Sequence, residues 1–201
     1  MNILNETENI TSSFDRNNVR WALKRAGNPH SLGISQKIPS SIENLRNAMR
    51  GSGHDCFMKG ITVQMDMWVN KLEREQLLRY NHIDIVSSCS LMHKFHELIT
   101  VDRCWSAVDP SAREFFMTHY SELPTEKGVL QLPMGFKYPW SIVTNALQLK
   151  TIESQRRCHK LPFWGEFLEH IDLLDIYIKL LIKGRALNED EDEDGDGEGE
   201  S

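Results

Sequence analysis

Gly60-Ile61-Thr62-Val63-Gln64-Met65-Asp66-Met67, followed at once by Trp68-Val69-Asn70-Lys71-Leu72-Glu73-Arg74-Glu75-Gln76, is the stretch on which the fold turns. In its first half Ile61, Val63, Met65 and Met67 alternate with Thr62, Gln64 and Asp66, the period-two pattern of a strand with one face in a core. From Trp68 to Tyr80 the period lengthens. Trp68, Leu72 and Gln76 recur every fourth residue while Glu73, Arg74 and Glu75 make a charged side, which predicts a helix. A half-buried strand running into a helix points to an α+β domain.

Working outward, residues up to about Asn18 are polar and predict a flexible N-terminus, 1–18. From Val19 to Arg50 the composition is globular, with turns at Gly27-Asn28-Pro29 and Pro39-Ser40-Ser41; Ser41 is placed to cap a helix reaching Arg50, which Gly51-Ser52-Gly53 then stops. Downstream, Cys89 to Leu98 reads as helical, and a turn-rich stretch holds Pro110, Pro124, Pro133 and Pro139. Phe167, Ile171, Leu174, Ile178 and Leu181 then repeat at spacings of four and three, one apolar helix face that should pack on the core or on another subunit. The expected organisation is one domain, 19–187, followed by an acidic tail, 188–201.

The 201 residues suffice for one well-cored domain, and 40% hydrophobic with 26% charged residues is the balance of a soluble globular chain. No apolar run reaches the roughly 20 residues of a membrane helix, and the opening MNILNETENITSS has no basic n-region or apolar h-region. A cytoplasmic location is expected, so the glycosylation-like triplets at Asn5 and Asn9 are discounted. Cys56, Cys89, Cys104 and Cys158 form no C-x-x-C pair and read as ordinary thiols rather than a zinc ribbon or disulfide framework.

Charge is unevenly placed. The formal charge is −6, but nine of the 29 acids lie between Glu189 and Glu200; the rest of the chain has 23 basic residues against 20 acidic ones, a net +3. The body therefore suits an anionic ligand such as a nucleotide, while lacking the strong basic stripe of a duplex binder. The tail has no apolar residue to bury and is expected to be disordered, a solvating segment or a contact for a cationic partner. Asp190, Asp192, Asp194 and Gly195 mimic the start of a calcium loop, yet Ser201 at its twelfth position has no carboxylate, so calcium is not expected.

Three segments concentrate hydrogen-bonding side chains beside the predicted elements: Gly53-His54-Asp55; Gln76-Leu77-Leu78-Arg79-Tyr80-Asn81-His82 with Ser87-Ser88-Cys89-Ser90-Leu91-Met92-His93; and Gln155-Arg156-Arg157-Cys158-His159-Lys160-Leu161-Pro162. The last carries four cationic or potentially cationic donors in five residues, and arginine forks match phosphate or carboxylate oxygens two at a time. Each segment also has a structural reading as a turn, a cap or a solvated face. His93 and His96 lie three apart on the predicted helix, but no further ligand pattern accompanies them, and no metal is expected. A nucleophile elbow, a P-loop and a dinucleotide glycine fingerprint are all missing.

In their order these segments resemble the flavin-dependent thymidylate synthases. That family shows a Gly-His, a strand, a helix carrying Gln-x-x-Arg-His-Arg, a Ser-x-Arg-Tyr turn, and later an Arg close to Leu-Pro. Here Gly53-His54, the alternating strand, Gln76, Arg79, Ser88 to His93, and Arg157 with Leu161-Pro162 fall in the same order, so the likeness spans roughly His54 to Leu161. It is closer still to divergent phage-borne relatives with Gly-His-Asp, Arg-Tyr, Ser-Ser-x-Ser-x-Met-His and Gln-Leu-Lys-Thr-Ile before Gln-Arg-Arg.

The resemblance implies an antiparallel sheet with helices and a homotetramer with FAD lying across subunits. It implies one-carbon transfer to deoxyuridylate, with methylenetetrahydrofolate and NADPH as co-substrates, in phage nucleotide metabolism within the host cytoplasm. By position it makes His54, Arg79, Tyr80 and Asn81 cofactor-binding, Gln76, Ser88, Ser90, Arg156 and Arg157 substrate-binding, and Ser88 and Ser90 catalytic. Departures are visible. Arg-His-Arg is Arg79-Tyr80-Asn81, Ser-x-Arg-Tyr is Ser90-Leu91-Met92-His93, and the family's later Asn-x-Arg falls at Leu174 and Ile176; Arg156, Arg157, His159 and Arg185 are the cations placed to compensate. The alternative function is an inactive member serving as a nucleotide-binding or protein-interaction module.

Overall fold

Five strands make one sheet in the order β1-β2-β3-β5-β4, every neighbouring pair antiparallel, in the computed structural model, which describes residues 2–6, 9–30, 32–49 and 52–182. The strands are β1 (Asn2–Glu6), β2 (Ile10–Asp15), β3 (Thr62–Val69), β4 (Asp84–Ser88) and β5 (Tyr138–Asn145). Among the described residues eight α-helices join and cover them: α1 (Arg16–Arg25), α2 (Ile42–Asn47), α3 (Lys71–Leu77), α4 (Leu91–Leu98), α5 (Pro110–His119), α6 (Thr125–Gln131), α7 (Ala146–Arg156) and α8 (Pro162–Ile182). The expected α+β class and antiparallel sheet are what the chain forms.

The deciding stretch behaves as its pattern dictates, with one shift. Val63, Met65, Met67 and also Val69 are buried, so β3 continues through Trp68 and Val69 instead of yielding to a helix at Trp68. The boundary is set by Asn70. Its side chain accepts from the Glu73 N–H at 3.0 Å while the Glu73 carboxylate accepts from the Asn70 N–H at 2.9 Å, a reciprocal capping box that starts α3 at Lys71. The helix ends at Leu77, short of Tyr80, and the chain turns through Leu78 to His82 into β4.

The N-terminus departs from the expected flexible segment. Residues 10–15 form β2, paired with β3 from Ile10↔Met67 to Ser13↔Gln64, and Ile10, Ser12 and Phe14 are buried. The polar run conceals this because Ser12 occupies an inward position and bonds His170 Nε2 at 2.7 Å. Burial lowers the His170 pKa to about 4. Nearby, the Glu166 carboxylate accepts from the Asn9 backbone N–H at 2.8 Å and from its side-chain amide at 2.9 Å, so α8 clamps the start of β2.

The turn-rich stretch is also corrected: two of its four prolines begin helices, and Pro139 lies within β5. Pro110 opens α5 behind Asp109, whose side chain accepts from Ser111 N–H, and Pro124 stands immediately before α6. The helix expected over Cys89–Leu98 begins at Leu91, because Ser87 and Ser88 belong to β4. The helix expected to reach Arg50 ends at Asn47, and Ser41 makes no capping bond. The acidic tail, Arg185 and residues 50 and 51 lie outside the described residues.

One face of the sheet carries the main core, in which Met65, Met67, Trp140 and Ile142 pack with Leu23 of α1, Ile152 of α7 and Trp164, Phe167 and Ile171 of α8. The other face carries Thr11, Ser13, Gln64, Asp66 and Ser141. A second core of Phe95, Leu98, Trp105, Phe116 and Phe136 sits within the segment between β4 and β5. Because β5 pairs with both β3 and β4, β3 and β4 run parallel to each other on either side of it.

Candidate functional site

The end of the sheet where β3 begins and β5 finishes gathers three of the sequence-predicted positions. Asp55, fully buried, accepts from Lys150 Nζ at 3.1 Å, and the same ammonium donates to the backbone carbonyls of Arg46 at 2.7 Å and Ala48 at 2.9 Å. These bonds from α7 fix the turn Gly53-His54-Asp55, where Gly53 has φ +82°, a conformation that suits a residue without Cβ. A short 3-10 helix, Cys56–Gly60, then leads into β3.

His54 is exposed on this turn and faces a groove of about 630 Å³ between α1 and the 3-10 helix. The groove has aromatic and aliphatic walls from Trp21, Phe57 and Leu45, and a rim of Arg25, Lys59 and His54; among the described residues no carboxylate lines it. Trp21 is 55% exposed, with the Arg25 guanidinium 5.6 Å from its ring centroid. Such a surface favours a planar ring joined to an anion: aromatic walls take the ring, and cations unopposed by acids take the charge.

Lys150, which fixes the groove's turn, and Arg156 are six residues apart on α7, about 9 Å of helix rise. Arg156 sits in an aromatic box. Its Nε donates to the Tyr80 hydroxyl at 2.7 Å, and its guanidinium carbon lies 4.8 Å from the Trp164 ring centroid and 5.6 Å from that of Tyr80. Trp164 Nε1 in turn donates to Gln76 Oε1 at 2.7 Å. Gln76, Tyr80 and Arg156 are thus brought together, with Trp164 as the piece that sequence reasoning missed. Arg79 and Asn81 flank Tyr80, exposed in the turn after α3, and the Thr144 hydroxyl donates to the His82 carbonyl at 2.7 Å, holding that turn to the end of β5.

The remaining predicted residues lie elsewhere. Arg157 is exposed and pairs with Glu153 and, at 3.8 Å, with Asp172. Ser88 ends β4 opposite Trp140, whereas Asp84, beside the Tyr80–His82 turn, pairs with Val143; the strand therefore separates the two groups of residues along its length. Ser90 precedes α4, its hydroxyl 2.8 Å from His93 Nδ1. His96 packs against the Phe95 ring, and among the described residues no group of three or more His, Cys, Asp or Glu could hold a metal ion.

Sequence reasoning also passed over Trp21, Arg25 and Lys59, whose one signal was the apolar-then-basic ending of α1; Lys150 stood in the sequence within the Gln-Leu-Lys-Thr-Ile motif, but only the fold brings it to Asp55.

This topology is that of the flavin-dependent thymidylate synthases. Two crystal structures of the Helicobacter pylori enzyme of that class, each with FAD and dUMP, are similar to it. One has a TM-score of 0.57 at 12% identity, covering 76% of this chain and 87% of the other; the second has 0.59 at 11%, covering 85% and 91%. Neither a family model nor a curated protein matches the chain by sequence. Among the described residues no helix is long and apolar enough to cross a membrane.

Proposed function

We propose that this chain binds a flavin and a pyrimidine deoxynucleotide and transfers a one-carbon unit to deoxyuridylate. The observation that carries the proposal is the cation-rimmed aromatic groove at His54, with no carboxylate among the described residues that line it and its turn held by Lys150, six residues of α7 from the Arg156 box, within a fold whose solved examples hold FAD and dUMP. The donor set fits FAD. In this reading Trp21 and Phe57 offer ring faces, Arg25 and Lys59 neutralise the diphosphate, and His54 donates to a ring or phosphate acceptor. When bound, the flavin supplies the reducing equivalents, with NADPH and methylenetetrahydrofolate as co-substrates.

The chain's own residues orient and hold charge. Arg79, exposed beside Tyr80, and Arg156, whose plane is fixed between two rings, present guanidinium donors to phosphate or to a polarised pyrimidine carbonyl. With His93 protonated at Nε2, the Ser90 hydroxyl donates to Nδ1 and keeps its lone pairs for a donor on the pyrimidine. A second reading, a binding module without turnover, is favoured by one feature: Gln76 and Arg156 are already engaged by Trp164 and Tyr80.

Titration of the purified protein with FAD and then dUMP, followed by absorbance, separates the readings. A saturable flavin band perturbed by dUMP, together with thymidylate formation from methylenetetrahydrofolate, is expected. Flavin and nucleotide binding without product selects the binding module. No uptake of either ligand overturns both.

A further inference from the structure

We infer that the acidic segment Glu189 to Glu200 is a ligand of its own chain, docked by charge over the groove at His54, so that FAD entering the groove must displace it. Of this, only the displacement rests on the flavin reading above. The positive charge of the body is concentrated around the groove. Residues 16–54 hold seven Lys and Arg against one acid, Glu43, a net +6, whereas the other residues up to Asn188 hold 16 against 19, a net −3. That basic stretch begins with α1, which contains no acid and carries Lys24 and Arg25 in its last turn, and it ends at His54 on the groove's rim. Lys59 of the 3-10 helix adds its charge to the rim, and among the described residues no carboxylate lines the groove. The acidic segment contains no Lys or Arg, so its charge is answered from outside it.

The fold delivers the segment to this end of the sheet. α8 runs beside β2 in the same direction, since Glu166 holds Asn9 and His170, one turn later, meets Ser12. Its course to Ile182, about 18 Å of further rise, carries it toward the end where β2 closes at Asp15 and α1 begins. The groove is at that same end: Thr62, the first residue of β3, lies with Asp15 and Asn18, and Gly60 just before it packs against the Trp21 ring. The six residues between Ile182 and Glu189 span up to about 20 Å and the segment itself up to about 40 Å more, against about 15 Å for the whole of α1. Reach is ample, and tethering holds the segment at an effective concentration on the order of mM. The other basic run, Arg156 to Lys160, competes poorly. It lies by the start of α8, about 30 Å of helix from Ile182; Arg157 is paired with Glu153 and Asp172, and Arg156 is boxed by Tyr80 and Trp164.

Cys56 is exposed in the groove and reports what covers it. In a full-length Cys89→Ser, Cys158→Ser chain, iodoacetamide is expected to alkylate Cys56 several-fold more slowly than in the same chain with its nine tail acids changed to amides, Glu→Gln and Asp→Asn. At about 1 M salt, where the Debye length falls to about 3 Å, the two rates should converge. Carbodiimide coupling locates the contact. Tail carboxylates should form amides with Lys59 or Lys24, and do so within one chain when isotope-labelled and unlabelled protein are mixed. Equal alkylation rates for the two tails, coupling to the exposed Lys71 and Lys127 but to neither Lys59 nor Lys24, or coupling only between chains overturns the inference. Displacement is read by FAD titration, in which the amide-tailed chain should bind several-fold more tightly at low salt. An unchanged FAD affinity with the tail mapped to the groove strikes out displacement and leaves the docking in place. If neither chain takes up FAD the flavin reading falls, and alkylation and coupling still decide where the tail lies.

Discussion

A methyl group on Gly128 would stand 2.3 Å from the Phe95 ring carbon Cζ, closer than any real contact, in the middle of the second core. Gly128→Ala should therefore destabilise by about 1–3 kcal/mol through overpacking. A lowered urea midpoint with an unchanged slope is the expected result; a neutral effect would mean that α6 shifts freely away from Phe95. His170 offers a second single-residue test. Its folded pKa, about 4, lies below the ordinary 6.5, so the unfolded chain takes up a proton that the folded chain refuses. The resulting stability is complete above pH 6.5 and is lost as pH falls toward 4, with a slope of up to about 1.4 kcal/mol per pH unit. Urea titrations at stepped pH should give His170→Asn a flatter dependence than the wild type over that window; identical slopes would show that burial does not control this imidazole.

At the scale of elements, α3 depends on its start. Asn70→Ala removes one half of the capping box and should cost about 1 kcal/mol, seen as a lower midpoint of thermal unfolding, whereas Asn70→Asp should keep most of it. That box also explains what the sequence displays and what it hides. The alternation of β3 is legible because one face meets the core and the other does not, but its end was not legible from periodicity: Trp68 belongs equally to a strand and to a four-residue repeat, and Asn70 decides. β2 was hidden because its inward Ser12 finds a partner 158 residues away in His170. α5 and α6 were hidden because Pro110 and Pro124 act as helix starters there, a role that depends on position rather than identity. In the site, Gln76, Tyr80 and Arg156 stood in the sequence as separate signals, and Trp164, which joins them, looked like one more apolar residue. The groove was illegible because Trp21, Arg25 and Lys59 come from two elements whose docking no local pattern encodes.

For the whole molecule, two cores imply two levels of cooperativity. The sheet core draws on β2, β3, β5, α1, α7 and α8, whereas the second core lies almost entirely within the insertion between β4 and β5. It is tied back through Lys137 N–H to the Cys104 carbonyl at 2.8 Å and Cys89 N–H to the Pro139 carbonyl at 3.0 Å. Hydrogen exchange should find amides of α5 and α6 opening before those of β3 and β5, with free energies below the global value. Equal protection throughout would make the insertion part of one unit.

The sheet order carries a consequence for how the chain is made. β5, the strand that joins β3 to β4, is the last of the five to leave the ribosome. Until residues 70–137 have all emerged, β3 has β2 on one side and a bare edge on the other, and β4 has no strand at all to pair with. The nascent chain therefore carries unpaired edges on both β3 and β4 through the synthesis of the whole insertion. An insertion that folds early on its own core shortens the distance β5 must search, and a helix-rich composition there speeds assembly of a sheet in which it takes no part.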